Sequence, residues 1–192
     1  MKRVLLLLVA VLAVNVTMAQ NGGQTEVGSV MLPNSMTVGG ESLMLNGAGI
    51  RKKAIVLKLY SGGLYLGSKS SDADAIVNAN SNMAIKLIIT SSFVSSEAFT
   101  EAVTDGFDAS MDGNTSPLSS EINKFMGFFS EEIVEDDMFD ITYQSDRGVV
   151  VYKNGVEKGS IAGMAFKQAL FGIWLGDDPA DKKLKKGLLG KG

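Results

Sequence analysis

N-G-A-G-I-R-K-K-A-I-V-L-K-L-Y-S-G-G-L-Y-L, running from Asn46 to Leu66, is the stretch from which the rest of the chain is read. Glycine lacks a Cβ, so it permits positive φ or close backbone approach. Gly47 and Gly49 around Ala48 therefore predict a tight turn feeding a strand. On that strand Ile55, Leu57 and Leu59 share one face, and Val56, Lys58 and Tyr60 share the other. Gly62-Gly63 predicts a bulge or tight bend before a second short strand, Leu64–Leu66. Arg51 sits between turn and strand, where a guanidinium can receive an anion. Of 18 basic residues only Arg3, Arg51 and Arg147 are arginine, so lysine is the default cation of this chain. Two readings of Arg51 stand side by side: a guanidinium needed for its fork geometry, or one member of a basic surface turn, Arg51-Lys52-Lys53.

Toward the N-terminus, residues 20–26 read as a flexible polar leader, and Val27–Leu32 as a strand ended by Pro33-Asn34-Ser35. Met36–Val38 and Ser42–Leu45 form a hairpin around Gly39-Gly40. Toward the C-terminus, Ser71-Asp72 caps a short helix, Ala73–Ala79, and Met83–Thr90 is an apolar strand. A helix from Ser95 to about Met111 buries Phe99, Ala102, Val103, Gly106 and Phe107 at i, i+3, i+4, i+7, i+8 spacing. Gly106 costs that helix about 1 kcal/mol relative to alanine, which implies a close neighbour. Ser116-Pro117 opens a helix burying Ile122, Phe125, Met126 and Phe129. Met138–Gln144 alternates as a half-exposed strand, and Asn154-Gly155 joins Val149–Lys153 to Val156–Ile161 as a hairpin. An apolar helix, Met164–Leu175, and a lysine-rich helix opened by Asp178-Pro179 close the chain. Strands first, helices between and helices last give an α+β fold: a large antiparallel sheet with helices layered on it.

A chain of 192 residues suits one domain, here 27–190, with a full core. Lys2-Arg3, the apolar run Val4–Val14 and the small Ala19 have the pattern of a cleaved signal peptide over 1–19, so a periplasmic or secreted protein is expected. That run is too short to span about 30 Å of hydrocarbon, and no other segment is long and apolar enough to form a membrane span. Losing Lys2 and Arg3 makes the mature chain more acidic than its formal −3, which argues against a nucleic-acid partner.

Cysteine and histidine are both absent. Their absence excludes disulfides, thiol nucleophiles, Ser-His-Asp triads, imidazole bases and nearly all zinc sites. No cofactor or metal is expected: Asp136-Asp137 reads as a solvated turn, and Asp177-Asp178 as a helix cap, since neither has calcium-loop spacing. Lys182, Lys183, Lys185 and Lys186 read as a solvated helix face. Phe125, Phe128, Phe129 and Trp174 read as core rather than as a ligand cavity.

Three motifs together, G-A-G-I-R-K-K, K-L-Y-S-G-G-L-Y-L and A-L-F-G-I-W-L-G-D-D-P, resemble the chalcone isomerase-like family from about Met31 to Gly190, most closely its secreted bacterial branch. The resemblance implies an open-faced β-sandwich with a cleft between sheet and helices. In true chalcone isomerases an arginine after the Gly-Ala-Gly turn and a threonine on the next strand act on the substrate oxygens; Arg51 matches the first, and the second falls on or next to Tyr60. The helix tyrosine, the helix asparagine and a late hydroxyl residue of those enzymes correspond to Phe99, Gly106 and Ile173, so the flavonoid-holding apparatus is mostly replaced. Plant members without isomerase activity bind fatty acids through an arginine and a tyrosine. The resemblance thus implies a non-catalytic exported protein for a fatty acid or similar apolar carboxylate, held by Arg51 and Tyr60 and walled by Phe99, Gly106 and Ile173. Two alternatives stand beside it: an isomerase or lyase on an enone-like small molecule, and a structural module whose cleft is closed core.

Overall fold

The computed structural model describes residues 23–53 and 57–192; residues 1–22, over which a signal peptide and most of a leader are expected, and Ala54, Ile55 and Val56 lie outside the described residues. Seven strands follow one another in chain order across a single antiparallel sheet. They are β3 (Ser35–Val38), β4 (Glu41–Lys53), β5 (Leu57–Leu66), β6 (Met83–Ile89), β7 (Met138–Gln144), β8 (Gly148–Lys153) and β9 (Val156–Ile161). A separate hairpin, β1 (Gln24–Val27) and β2 (Val30–Pro33), precedes them. The helices are α1 (Ala73–Asn78), α2 (Ser96–Ser110), α3 (Ser119–Gly127, entered through a 3-10 turn), α4 (Met164–Leu175) and α5 (Lys182–Leu188). This is the expected α+β architecture.

Alternation along β6 separates the two faces of the sheet. Ile85, Leu87 and Ile89 point into the main core beneath the helices, whereas Ala84 and Ile88 belong to smaller clusters on the opposite face. The β1–β2 hairpin covers that opposite face with Val27 and Leu32 against Ala48, Ile50 and Ile88. Two side chains of β5 fasten it: Ser61 Oγ donates to the Val27 carbonyl at 2.8 Å, and Tyr65 Oη donates to the Pro33 carbonyl at 2.8 Å. Gln24 to Glu26, expected within the leader, are therefore strand, and the single strand expected over Val27–Leu32 turns at Gly28, whose φ is +69°.

On the helix side, α4 is buried almost all round, as a helix apolar on every face must be. It crosses α2 where Gly106 meets Ile173; a Cβ on Gly106 would lie 2.6 Å from Ile173 Cγ2. That is the close neighbour its sequence position implied. Phe125 and Phe129 join Phe99, Phe107, Phe139 and Phe166 in a packed aromatic cluster, as core residues.

Three expectations are corrected. Gly47 and Gly49 do not turn the chain: both lie within β4, and Gly62-Gly63 lies within β5 without a bend. The reason is close approach. A Cβ on Gly47 would run into the Gly187 carbonyl and come within 2.6 Å of the Gly190 nitrogen, so these glycines let α5 lie backbone to backbone on β4. Next, β7 is buried on both faces apart from exposed Met138 and half-buried Asp140, because its outer polar residues find partners: Asp140 pairs with Lys86 at 2.6 Å, and Thr142 Oγ1 donates to the Val150 carbonyl. Last, the cap of α5 is Asp181 rather than Asp178, its carboxylate accepting from the Lys183 and Leu184 N–H groups.

Candidate functional site

Arg51 and Tyr60 are cross-strand partners on β4 and β5. The register then slips: Lys52 faces Lys58, leaving Leu59 as an extra residue on β5. A β-bulge of this kind re-aims the side chains beside it. Alternation predicted Leu57 and Leu59 on the face opposite Tyr60, yet all three line the same cavity.

That cavity, about 650 Å³, lies between the β4–β5 end of the sheet and helices α2 and α4. Its size is within the range of about 300–1,000 Å³ for small-molecule sites. All five residues singled out in the sequence, Arg51, Tyr60, Phe99, Gly106 and Ile173, line it. Phe99 and Gly106 come from the buried face of α2, and Ile173 from α4. Leu57, Leu59, Val94 and Val103 extend the apolar wall. Glu101, Asp105 and Asp178 stand at its exposed rim with Lys53 and Phe93, the latter 72% exposed.

Sequence reasoning missed Trp174, which it grouped with the aromatic core. Trp174 lines the cavity, and its indole Nε1 donates to Tyr60 Oη at 3.0 Å. A buried indole N–H normally needs an acceptor, so the only tryptophan of the chain was the available signal. Both partners are buried, Tyr60 at 8% exposure and Trp174 at 2%. Burial pushes the Tyr60 hydroxyl above the ordinary phenol range; the Trp174 bond and the Arg51 charge pull partly back, and Asp181 pushes up. Tyr60 is therefore a neutral donor at neutral pH. Among the described residues no carboxylate lies within 4 Å of the Arg51 guanidinium. The site thus offers the Arg51 guanidinium and the Tyr60 phenol on a largely apolar wall, with Lys53 and three carboxylates at its rim.

A larger groove, about 1170 Å³, runs outside the sheet between the β1–β2 hairpin, β4 and α5. It is lined by Lys52, Lys69, Lys182 and Lys183 with Glu26 and Asp181, and no aromatic residue contributes to it. The Asp136-Asp137 pair is not a solvated turn throughout: Asp137 is 6% exposed, pairs with Lys153 at 3.0 Å and accepts from Asn154 Nδ2 and the Val134 N–H. It pins the loop before β7.

With this geometry in place, the comparisons with known proteins fall on the same fold. The chain belongs to the chalcone isomerase-like family, whose sequence profile matches residues 24–190. No curated protein matches it by sequence. Among solved structures, the crystal structure of an Arabidopsis thaliana fatty-acid binding protein superposes with a TM-score of 0.65 at 20% identity, covering 83% of this chain and 91% of the plant protein. At that identity the likeness concerns the fold.

Proposed function

We propose that this protein is a non-catalytic binder of a fatty acid or similar apolar carboxylate, held by Arg51 and Tyr60 with the acyl chain against Phe99, Gly106 and Ile173. One observation carries the reading. A guanidinium with no carboxylate partner among the described residues and a buried phenol sit on paired strands, at the wall of a cavity that is otherwise mainly apolar. Arginine binds carboxylate by charge-assisted, often bidentate hydrogen bonds, and a phenol adds a further donor. The fatty-acid binding described for the plant structural neighbour supports the same class of ligand. The signal-like pattern of residues 1–19 supports export of the mature domain, and the mass of the protein recovered from an exporting host checks whether cleavage follows Ala19.

Trp174 is a built-in reporter, being the only tryptophan and a cavity residue. Titration with decanoate should change its fluorescence saturably, and Arg51→Ala should weaken the affinity roughly 10- to 100-fold, the worth of one charged hydrogen-bonding group. No saturable change in the wild-type protein, with no retained acyl mass by native mass spectrometry, would remove this function. Turnover of a chalcone-type enone above background would favour the isomerase reading instead.

A further inference from the structure

We propose that Trp174 makes the cavity selective for headgroups that only accept hydrogen bonds, by occupying the Tyr60 oxygen and leaving the Tyr60 proton for the ligand. The inference rests on the binding function proposed above and names how its site discriminates.

A phenol carries one O–H donor and a lone-pair acceptor site; an indole N–H only donates; a guanidinium has five donors and no acceptor. The Trp174 N–H, 3.0 Å from Tyr60 Oη, takes up the acceptor role of that oxygen. Among the described residues no acceptor receives the Tyr60 proton, although Tyr60 is only 8% exposed. A buried donor left unmatched is costly, which makes it a place prepared for an acceptor. Arg51, directly across the strand pair, adds donors only.

Three headgroups separate on this basis. A carboxylate brings acceptors for both Arg51 and Tyr60 and no proton of its own. An alkylammonium brings donors and a like charge. A primary alcohol brings one acceptor, but Arg51 and Trp174 offer its own proton no acceptor and the indole has taken that of the tyrosine oxygen; the carboxylates of Glu101, Asp105 and Asp178 stand at the exposed rim. Arg51 thus sets the preference for anion over cation, and Trp174 sets the preference for carboxylate over alcohol. Trp174 is a positioning residue, acting on the ligand through Tyr60.

The test compares decanoate with decanol by calorimetry in the wild type and in Trp174→Phe. Wild type should prefer decanoate, and Trp174→Phe should narrow the decanoate-to-decanol ratio about tenfold by freeing the Tyr60 oxygen to accept. The same variant should raise the Tyr60 titration, followed by tyrosinate absorbance, because the bond from Trp174 that lowers it is lost. An unchanged ratio with an unchanged titration would overturn the inference while leaving carboxylate binding intact. Failure of the wild type to bind decanoate would overturn both. Should Trp174→Phe not fold, the single indole N–H resonance of the otherwise native protein decides: it should move upfield in Tyr60→Phe, and an unmoved resonance refutes the bond on which the inference stands.

Discussion

Lys167 is a charge with no exposed surface, its ammonium donating to the carbonyls of Ile76, Val77 and Ala79 at 2.7–2.9 Å. These are carbonyls at and just beyond the C-terminal end of α1, where the helix dipole favours a cation. The faces of Tyr143 and Phe171 flank it at 5.3 and 5.6 Å. Burial pushes its ionisation down to about 8. The folded state therefore sheds this proton before the unfolded state does, and stability attributable to Lys167 should rise with pH between about 8 and 10.5. Comparison of the wild type with Lys167→Met over that interval isolates the effect, which should be on the order of 2 kcal/mol. A parallel pH dependence in both proteins would contradict it. At neutral pH Lys167→Met should unfold at lower temperature, because three carbonyls lose their donor at once. Nothing in the sequence marked this residue: a lysine inside A-F-K-Q-A-L looks like the polar edge of an apolar helix, and its buried destination depends on where α1 ends. Arg51, by contrast, was legible because arginine is rare here and follows a glycine motif. Trp174 was not, since cavity wall and core are both apolar at helical spacing.

Among the elements, the glycines of β4 illustrate what sequence can and cannot distinguish. Positive φ and close approach were both open readings of Gly47 and Gly49, and only the position of α5, nearly 140 residues away, decides between them. Gly47→Ala should be severely destabilising, by more than about 3 kcal/mol, since the added methyl meets backbone atoms of α5 that cannot rotate aside. Gly127→Ala is the contrasting substitution. Nothing lies within 4 Å of a Cβ there, so it should be neutral or stabilising by up to about 1 kcal/mol. Equal melting temperatures for the two variants would mean that α5 is not seated as described. The bulge at Leu59 was similarly out of reach, because alternation along one strand cannot reveal a slip that belongs to a pair. The Asn154-Gly155 hairpin was readable because its chemistry is local: Asn154 and Gly155 adopt φ of +50° and +81°, as this turn demands.

For the molecule as a whole, the cavity joins the two layers, with Arg51 and Tyr60 from the sheet and Phe99, Gly106 and Ile173 from the helices. A ligand seated there binds only the assembled fold and stabilises it by mass action. Decanoate at 100 times its dissociation constant should contribute about 2.7 kcal/mol, a rise of roughly 5–10 °C in Tm for a domain of this size. Arg51→Ala at the same decanoate concentration should show little of that rise, and an equal rise in both proteins would place the ligand elsewhere. The layered architecture was legible because strand and helix periods differ so clearly along the chain. The openness of the space between the layers was not, since it depends on how far two helices stand from a sheet.

The bond from Asn46 to the carbonyl of Leu188, with Asn46 also tied to Ser70 on both its amide atoms, has a consequence for the order of assembly. Every sheet pairing here is between strands adjacent in sequence, so a nascent chain can zip the meander in the order in which it is synthesised. The glycine face of β4 is made early yet stays bare until the last turn of α5 emerges, some 140 residues later. Helix α5 therefore acts as a latch: a chain cut before Lys182 keeps every strand pairing of the sheet but leaves the glycine face of β4 uncovered.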